Sequence, residues 1–242
     1  MERGPRNEYE IQDRLKMRVK RTASTVDVSV PGDDESLEAY VAAIRACRVC
    51  RDRPRYGRAL DHEPRPVIQV SRTARICIAS QAPGTRVHES GRPFDDPSGV
   101  RLRQWMGIEE RDFYDSSRVA ILPMGFCFPG LRPDGSDLPP RRECKEVWRG
   151  QLFAHLPDLE LFLVIGGYAQ RWHLGPAVAR QGVTETVRRW HRIYRATPSH
   201  RIYPLPHPSW HNNKWLKQNP WFESDLLPVL QADIRDVLSP SR

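Results

Sequence analysis

The sequence predicts an α/β fold of three layers (α/β/α), in which a central, mostly parallel sheet of four strands lies between two layers of helices. Two observations predict it. Four short apolar segments end at loops that contain Gly or Pro, and the segments between them carry apolar residues at helical spacing. Alternation of strands with helices is typical of βαβ units and therefore of a parallel sheet. A chain of 242 residues can bury such a core without disulfide bonds.

The first half of the chain supplies two of the strands. A cap at Asp34 or Ser36 is expected to start the first helix, whose apolar residues recur every three or four positions. Residues 75–80 form an apolar strand that stops at a Pro-Gly loop. Ser98 is then expected to cap a helix, and residues 119–124 form the second strand.

The second half supplies the other two strands. Residues 141–156 and 184–194 are predicted to be helical, and Leu161–Ile165 is the third strand. Residues 202–205 form the fourth strand, and residues 222–238 a closing helix. In a parallel sheet ligands bind beyond the carboxyl ends of the strands, so the loops that follow these strands are the first place to look for a site.

The chain divides into two parts. Residues 1–35 are polar and basic and are expected to form a flexible extension, whereas residues 36–242 form one domain. No apolar segment resembles a secretory signal, and none reaches the roughly 20 residues that a membrane-spanning helix needs. We therefore expect a soluble, cytoplasmic monomer that is not secreted and does not contact a membrane.

The charge favours an anionic partner. The 38 Lys and Arg residues outnumber the 30 Asp and Glu residues, which gives a net charge of +8. Residues 186–222 contain no Asp or Glu but seven Lys or Arg residues, interleaved with Trp and Tyr. Such a segment is typical of nucleic-acid contact, although the aromatic residues could equally be core residues.

Three strand-end segments carry recognisable motifs: Ser80-Gln81-Ala82-Pro83-Gly84, then Gly91-Arg92-Pro93-Phe94-Asp95-Asp96-Pro97-Ser98, and finally Pro206-His207-Pro208-Ser209. In this order they resemble the uracil-DNA glycosylase superfamily, and most closely its iron–sulfur family-four and family-five enzymes. The likeness covers roughly residues 40–238. It implies an enzyme that flips a uracil out of DNA and hydrolyses its N-glycosidic bond, which is the first step of base excision repair. The substrate would be single- or double-stranded DNA.

The resemblance also implies roles for individual residues. Phe94 matches the ring that stacks on the base, and His207 matches the histidine that stabilises the departing base. Gln81 stands where family-four enzymes have a water-activating carboxylate, so we assign that role to Asp96, with Asp95 and Glu89 as alternatives. The remaining predicted base-pocket residues are Ala82, Pro83, Gly84, Met124 and Asn212, and the predicted DNA contacts are Ser209, Trp210, His211 and Lys214.

Two features depart from the family pattern. Gln81-Ala82 lacks a group that can accept a proton from water, and Asp96 could instead be the cap of the following helix. Pro123 stands where many of these enzymes have an Asn that reads uracil, so backbone groups near Met124 or Gly125, or Asn212 and its neighbour, would have to read the base. The range of substrates could then include hypoxanthine and xanthine.

Four of the five cysteines form a candidate ligand set. Cys47 and Cys50 are three positions apart, and Cys127 and Cys144 follow at distances that resemble those of the iron–sulfur glycosylases. The resemblance implies a [4Fe–4S] cluster, while the residues alone also allow a structural zinc or no metal at all. Cys77, within an apolar strand, is predicted to be a buried thiol.

These observations predict a monofunctional uracil-DNA glycosylase that uses no catalytic metal. An alternative is a non-catalytic member that binds damaged or single-stranded DNA, which the Gln81-Ala82 pair favours. A metal-dependent nuclease is a third possibility, for which the neighbouring Asp95 and Asp96 are the only support.

Overall fold

Four parallel strands form the centre of the fold in the computed structural model, which describes residues 36–197 and 200–239. The strands are β1 (Ile76–Ala79), β2 (Val119–Ile121), β3 (Leu161–Ile165) and β4 (Arg201–Leu205). Their order is β2-β1-β3-β4, and each neighbouring pair is parallel. The predicted α/β fold with a four-stranded parallel sheet is confirmed. The predicted extension, residues 1–35, lies outside the described residues.

The strands are apolar on both faces because helices cover both sides of the sheet. Successive residues of a strand point to opposite faces, so each strand contributes to two cores. Cys77 and Ala79 of β1 pack in one core with Tyr40 of the first helix. Ile76 and Ile78 pack in the other core. Cys77 is fully buried, as the sequence predicts.

Five helices lie in the first half of the described chain: α1 (Leu37–Arg45), α2 (Val49–Asp52), α3 (Thr85–Ser90), α4 (Pro97–Met106) and α5 (Glu110–Phe113). Ser36 caps α1 by accepting a hydrogen bond from the Ala39 N–H at 3.2 Å, as predicted. The expected cap of α4 is wrong. Asp96, and not Ser98, is the N-cap, because Pro97 occupies the first helical position, for which its fixed φ is suited.

Eight helices lie in the second half: α6 (Arg142–Cys144), α7 (Gly150–Ala154), α8 (Gly166–Leu174), α9 (Pro176–Ala179), α10 (Gly182–Arg188), α11 (Trp190–Ala196), α12 (Asn213–Gln218) and α13 (Leu227–Leu238). A π-helical segment, Lys145–Arg149, joins α6 to α7, and another, Phe222–Leu226, leads into α13. The single helix expected over residues 184–194 is two helices, α10 and α11, which meet at Arg189. Among the described helices, none is both long and apolar enough to cross a membrane.

The strand order defines where a ligand would bind. From β1 the chain passes first to β2 on one side and later to β3 on the other side. The carboxyl ends of β1 and β3 therefore flank the point at which the strand order reverses, and a crevice is expected there. The three loops that carry the sequence motifs all lie at this carboxyl edge.

Candidate active site at the carboxyl edge of the sheet

The loops after β1 and β2 are tied together by backbone hydrogen bonds. The Met124 N–H donates to Ser80 O at 2.8 Å, and the Gly125 N–H donates to Gln81 O at 2.9 Å. Both N–H groups are therefore occupied and cannot donate to a base. If the backbone of Met124 and Gly125 reads the base, it must do so through the carbonyl oxygens, which accept hydrogen bonds but cannot donate them.

Buried Arg149 fixes the same loop from the core side. Its Nη1 donates to Leu122 O at 2.7 Å and to Pro123 O at 2.8 Å, and its Nη2 lies 2.9 Å from His173 Nε2. Burial lowers the pKa of Arg149 to about 10 and holds the pKa of His173 well below its usual value. His173 therefore remains neutral at pH 7, and its Nε2 can accept a hydrogen bond from Arg149.

Phe94 is held in an uncommon backbone conformation. The φ of Phe94 is 55°, in the left-handed region that non-glycine residues rarely adopt. Phe94 is buried, with 8% of its surface exposed. Glycine at position 99 permits this conformation, since a Cβ there would lie 1.9 Å from Phe94 O. The Tyr114 hydroxyl donates to Phe94 O at 3.3 Å. Such strain is common at ligand sites, and here it sets the position of the ring.

Phe94 and Asp96 line the same cleft, which has a volume of about 490 Å³. Asp95 lines it as well, and its charge contributes to the raised pKa of Tyr114, which burial chiefly causes. Glu89, the other alternative carboxylate, is exposed, and its carbonyl accepts a hydrogen bond from Arg65. The structure thus brings the predicted stacking ring and the predicted water-positioning carboxylate to one cavity.

Asp96 serves as a helix cap and also lies beside the other site residues. Its Oδ1 accepts a hydrogen bond from the Gly99 N–H at 2.9 Å, as capping requires. Its charge acts on His207 and on Asp137, a residue that sequence reasoning missed. Asp96 can therefore cap α4 and still act on the site, because the start of α4 lies close enough for its charge to affect His207.

His207 is half-buried and is held by its loop. Burial lowers the pKa of its imidazole, His211 lowers it further, and the negative charge of Asp96 partly opposes this. The Asn212 side chain donates to His207 O at 2.7 Å, and Arg101 donates to Ser209 O at 2.9 Å. His207 is consequently neutral at pH 7 and fixed in position, which suits a donor aimed at a developing anion.

Asp137 is the residue at the site that the sequence analysis did not identify. It ends a small hairpin in which Leu131 and Asp137 form an antiparallel bridge and the Leu138 N–H donates to Gly130 O at 2.9 Å. Asp137 Oδ2 lies 3.9 Å from the point that a Cβ at Gly84 would occupy. Asp137 is exposed as a residue, but partial desolvation of its carboxyl raises the pKa of Asp137, and the charge of Asp96 raises it further. The only sequence signal was the Asp134-Gly135 turn, which predicts a hairpin but not its docking.

The other predicted residues are distributed around this centre. Gln81 and Met124 line a second cleft rather than the one that contains Phe94. The Asn212 side chain donates to His207 O, so it holds the loop that carries His207. Trp210 is 68% exposed and stacks on His211 with ring centroids 3.8 Å apart, and Lys214 is exposed, so these three are accessible to a partner. Within the basic segment the core interpretation is right for Trp190, Tyr203 and Phe222.

The second cleft has a volume of about 780 Å³. Its lining includes Gln81, Met124 and Gly167, which follow three different strands. The cleft is also lined by four cationic side chains and by no Asp or Glu: Arg141, Arg142, Lys145 and Arg171. Sequence analysis missed this cleft because its cations come from two segments that are separated by β3.

The four cysteines of the predicted ligand set surround one small cavity: Cys47, Cys50, Cys127 and Cys144. The Trp148 indole donates to Cys47 Sγ at 3.3 Å, and the Phe126 N–H donates to Cys144 Sγ at 3.4 Å. Across residues 36–197 and 200–239, no three His, Cys, Asp or Glu side chains are arranged to hold a single metal ion. Four thiols with N–H donors to sulfur nevertheless fit the chemistry that a four-thiolate group requires.

A family model described as the uracil DNA glycosylase superfamily matches residues 68–231, about two thirds of the chain. The matched residues include all four strands and the loops that carry Phe94, Asp96, Asp137 and His207. Cys47 and Cys50 precede the matched residues. The match therefore identifies the superfamily and does not bear on the iron–sulfur families within it.

Proposed function

The chain belongs to the uracil DNA glycosylase superfamily, whose members act on DNA, and on that premise we propose that it is a monofunctional glycosylase that removes uracil from DNA. The observation that carries the proposal is the grouping of a neutral His207, the Asp96 carboxylate and Phe94 at the carboxyl edge of the sheet. The proposed product is DNA with an abasic site, the starting point of base excision repair.

Binding begins with a base that leaves the DNA stack. Flipping costs a few kcal/mol, so the pocket must supply a stacking surface and hydrogen bonds in return. In the proposal Phe94 supplies the stacking surface. The carbonyl oxygens of Met124 and Gly125 are proposed to accept hydrogen bonds from the base, which requires the base to reach from the Phe94 cleft to the segment that lines the second cleft. An acceptor that faces the ring nitrogen favours uracil, hypoxanthine and xanthine, in which that nitrogen carries a proton, and it repels the N3 lone pair of cytosine.

Bond cleavage leaves negative charge on the departing base, chiefly on O2 of uracil. A neutral imidazole can donate an N–H to that oxygen and stabilise the transition state without giving up its proton. The lowered pKa of His207 keeps the imidazole in this neutral form. The tie between Asn212 and His207 O limits the movement of the loop that carries it.

Water then forms a bond to C1′ while the N-glycosidic bond breaks and its electron pair leaves with the base. A carboxylate that positions the water and accepts its proton accelerates such a step by about 10²- to 10⁴-fold. Asp96 is proposed for this role, and its negative charge also stabilises positive charge that develops on the sugar. Asp137 is a second carboxylate beside it.

The experiment is a base-release assay in EDTA. Oligonucleotides that each carry one uracil, hypoxanthine or xanthine are incubated with the protein and then treated with alkali, which breaks the strand at abasic sites. Cleavage of the uracil strand only after alkali is the expected result. Cleavage of the uracil strand without alkali in EDTA would contradict a monofunctional enzyme, and cleavage that requires added Mg²⁺ would instead identify a nuclease.

A second candidate function has a specific observation in its favour. The first motif, Gln81-Ala82, lacks a proton acceptor, and Asp96 is engaged as a helix cap. A member that binds damaged or single-stranded DNA without cleaving it would have these features. An intact strand with all three bases, together with tighter binding to DNA that contains uracil than to unmodified DNA, would favour this function over the enzyme.

The four cysteines at one cavity are proposed to hold a [4Fe–4S] cluster, with a structural zinc as the alternative. Cys47, Cys50, Cys127 and Cys144 would be its ligands, and the group would stabilise the contact of α1 and α2 with α6 without taking part in the reaction. Protein purified without oxygen is expected to contain about four iron atoms per chain. Cys127→Ser should lose the iron, whereas Cys77→Ala, which changes a cysteine outside the cavity, should retain it. Retention of iron by Cys127→Ser would contradict the assignment.

A further inference from the structure

The second cleft differs from the rest of the site in its charge. Arg141 forms an ion pair with Glu143 at 3.0 Å, and Arg142 lies over the Tyr56 ring at 4.4 Å. In the part of the chain that the structure describes, the side chains of Lys145 and Arg171 are exposed and take part in no ion pair or hydrogen bond. The cleft therefore holds cationic side chains whose charge no protein group balances.

Aromatic side chains lie beside these cations. Tyr168 is a lining residue that is 45% exposed, a large fraction for an aromatic side chain, and Trp172 lines the same cleft. Both belong to α8, which starts directly after β3. Cations that follow a backbone, together with rings on which bases stack, are the two features by which proteins bind unpaired nucleic acid.

The cleft also reaches the first sequence motif. Its lining includes Gln81, from that motif, and Met124, whose loop is hydrogen-bonded to the motif. A strand that lies in the cleft would therefore pass close to the nucleotide that is flipped. A volume of about 780 Å³ is that of a ligand-binding cleft. A duplex, whose phosphates lie on the outside of a wide cylinder, cannot enter it.

We propose that this cleft binds the unpaired DNA strand that continues from the flipped nucleotide, with Lys145 and Arg171 on its phosphates and Tyr168 against a base. The inference rests on the proposed function, because it names the substrate as DNA that is single-stranded next to the target base. Charge complementarity selects the occupant, since a strand carries one negative charge per nucleotide and the lining has no carboxylate.

Binding of a fluorescent single-stranded oligonucleotide, measured over a range of salt concentrations, tests the cleft independently of catalysis. The double variant Lys145→Glu/Arg171→Glu should bind at least about tenfold more weakly, and the slope of log K against log salt should fall by about 1.4 for two lost phosphate contacts. Tyr168→Ala should bind at least about fivefold more weakly because one stacked base is lost. Lys145, Tyr168 and Arg171 lie on the surface, and melting temperatures check that each variant is folded.

Arg235→Glu is the matched control. Arg235 is exposed near the end of α13, whose last residues accept hydrogen bonds from Arg75 and Arg118 at the amino ends of β1 and β2. It therefore makes a charge change of the same kind at the opposite edge of the sheet, and binding should stay within about twofold of the wild type.

Three results would overturn the inference. The first is a double variant that binds the single strand as tightly as the wild type. The second is a double variant whose affinity for a duplex of the same length falls as much as its affinity for the single strand. The third is a polyglutamate peptide that competes with the wild type as well as the oligonucleotide does. Uracil release, measured in parallel, separates the two proposals. An inactive wild type whose binding depends on Lys145 and Arg171 contradicts only the enzyme, and an active wild type with an unaffected double variant contradicts only the cleft.

Discussion

At the residue scale, Asp96 combines a structural and a proposed chemical role, and the two can be separated. Its Oδ1 caps α4, while its charge acts on His207 and Asp137. Replacement by Ala would remove both functions at once, and loss of a cap alone costs about 1 kcal/mol. Serine is also a good N-cap but carries no negative charge, so it is the informative substitution.

Asp96→Ser is expected to keep the wild-type melting temperature to within a few degrees and to lower the single-turnover rate of uracil release by about 10²-fold or more. His207→Ala should have a comparable effect on the rate because the donor to the departing base is lost. DNA binding should persist in both variants. Full activity of Asp96→Ser would assign Asp96 to capping alone.

Asp137 carries a second prediction at this scale. Partial desolvation and the neighbouring Asp96 raise its pKa, so the ionised form is lost at a higher pH than for an ordinary Asp. If Asp137 helps to accept the proton of water, the rate should fall as the pH falls through that raised pKa. Asp137→Asn should slow the reaction and remove this acidic limb of the pH–rate profile.

Asp134→Asn is the matched control for Asp137→Asn. Asp134 lies in the same hairpin, where it accepts hydrogen bonds from the N–H and the hydroxyl of Ser136 at 2.9 and 2.6 Å. Changing it perturbs the turn and not the carboxylate that faces Gly84. The control should retain the acidic limb, and a wild-type profile for Asp137→Asn would exclude Asp137 from proton transfer.

At the element scale, the four strands could be predicted because each is an apolar run buried on both faces. The motif residues Phe94, Asp96 and His207 could be placed together because the carboxyl ends of parallel strands share one edge. Asp137 could not, since its position depends on how a hairpin of polar residues docks against Gly84. The cations of the second cleft were missed for a similar reason, because only the packing of α8 against the loop before α6 brings them together.

The junction of α4 with the Phe94 loop yields a prediction at this scale. Ala normally stabilises a helix by about 0.5–1 kcal/mol relative to Gly. At position 99 the sign should reverse, since a Cβ would lie 1.9 Å from Phe94 O, which is backbone and cannot swing aside. Gly99→Ala should lower the free energy of unfolding in urea by about 1–3 kcal/mol and also impair base release.

Ser98→Ala is the control for Gly99→Ala, because it changes the preceding residue of the same helix. The Ser98 side chain has no hydrogen bond in the described part of the chain, so the free energy of unfolding should change by no more than about 0.5 kcal/mol. Equal stability of Gly99→Ala and the wild type would mean that the Phe94 loop relaxes, and that its left-handed conformation is not required.

At the scale of the whole molecule, the two edges of the sheet differ in how their cations are paired. At the amino edge Arg75 pairs with Glu160 at 2.7 Å, and Arg118 pairs with Asp112. At the carboxyl edge Lys145 and Arg171 line the second cleft without a carboxylate. The carboxylate-free cations of the second cleft therefore lie at the edge at which DNA is proposed to bind.

Three histidines with lowered pKa values make the stability of the whole fold depend on pH. Burial is the main cause for His88, His173 and His207, while Arg149 adds to it at His173. An unfolded chain binds protons at such residues from about pH 6.5 downward, but the folded chain binds them only at lower pH. The unfolded state thus holds more protons in this range, so the free energy of unfolding should fall as the pH falls from about 7 to 5.5.

Denaturation in urea at several pH values measures this dependence. His173→Gln should weaken the pH dependence of the free energy of unfolding, because one of the three titrating groups is removed. The Gln side-chain oxygen can still accept the hydrogen bond from Arg149. His191→Gln, which makes the same substitution at an exposed histidine of α11, is the control for the substitution itself. The raised pKa of Asp137 acts in the opposite direction, because the folded state binds that proton more readily than the unfolded state. Stability that stays constant or rises between pH 7 and 5.5 would therefore mean that the buried histidines gain protons without unfolding, and that the Arg149–His173 contact can reorganise within the intact fold.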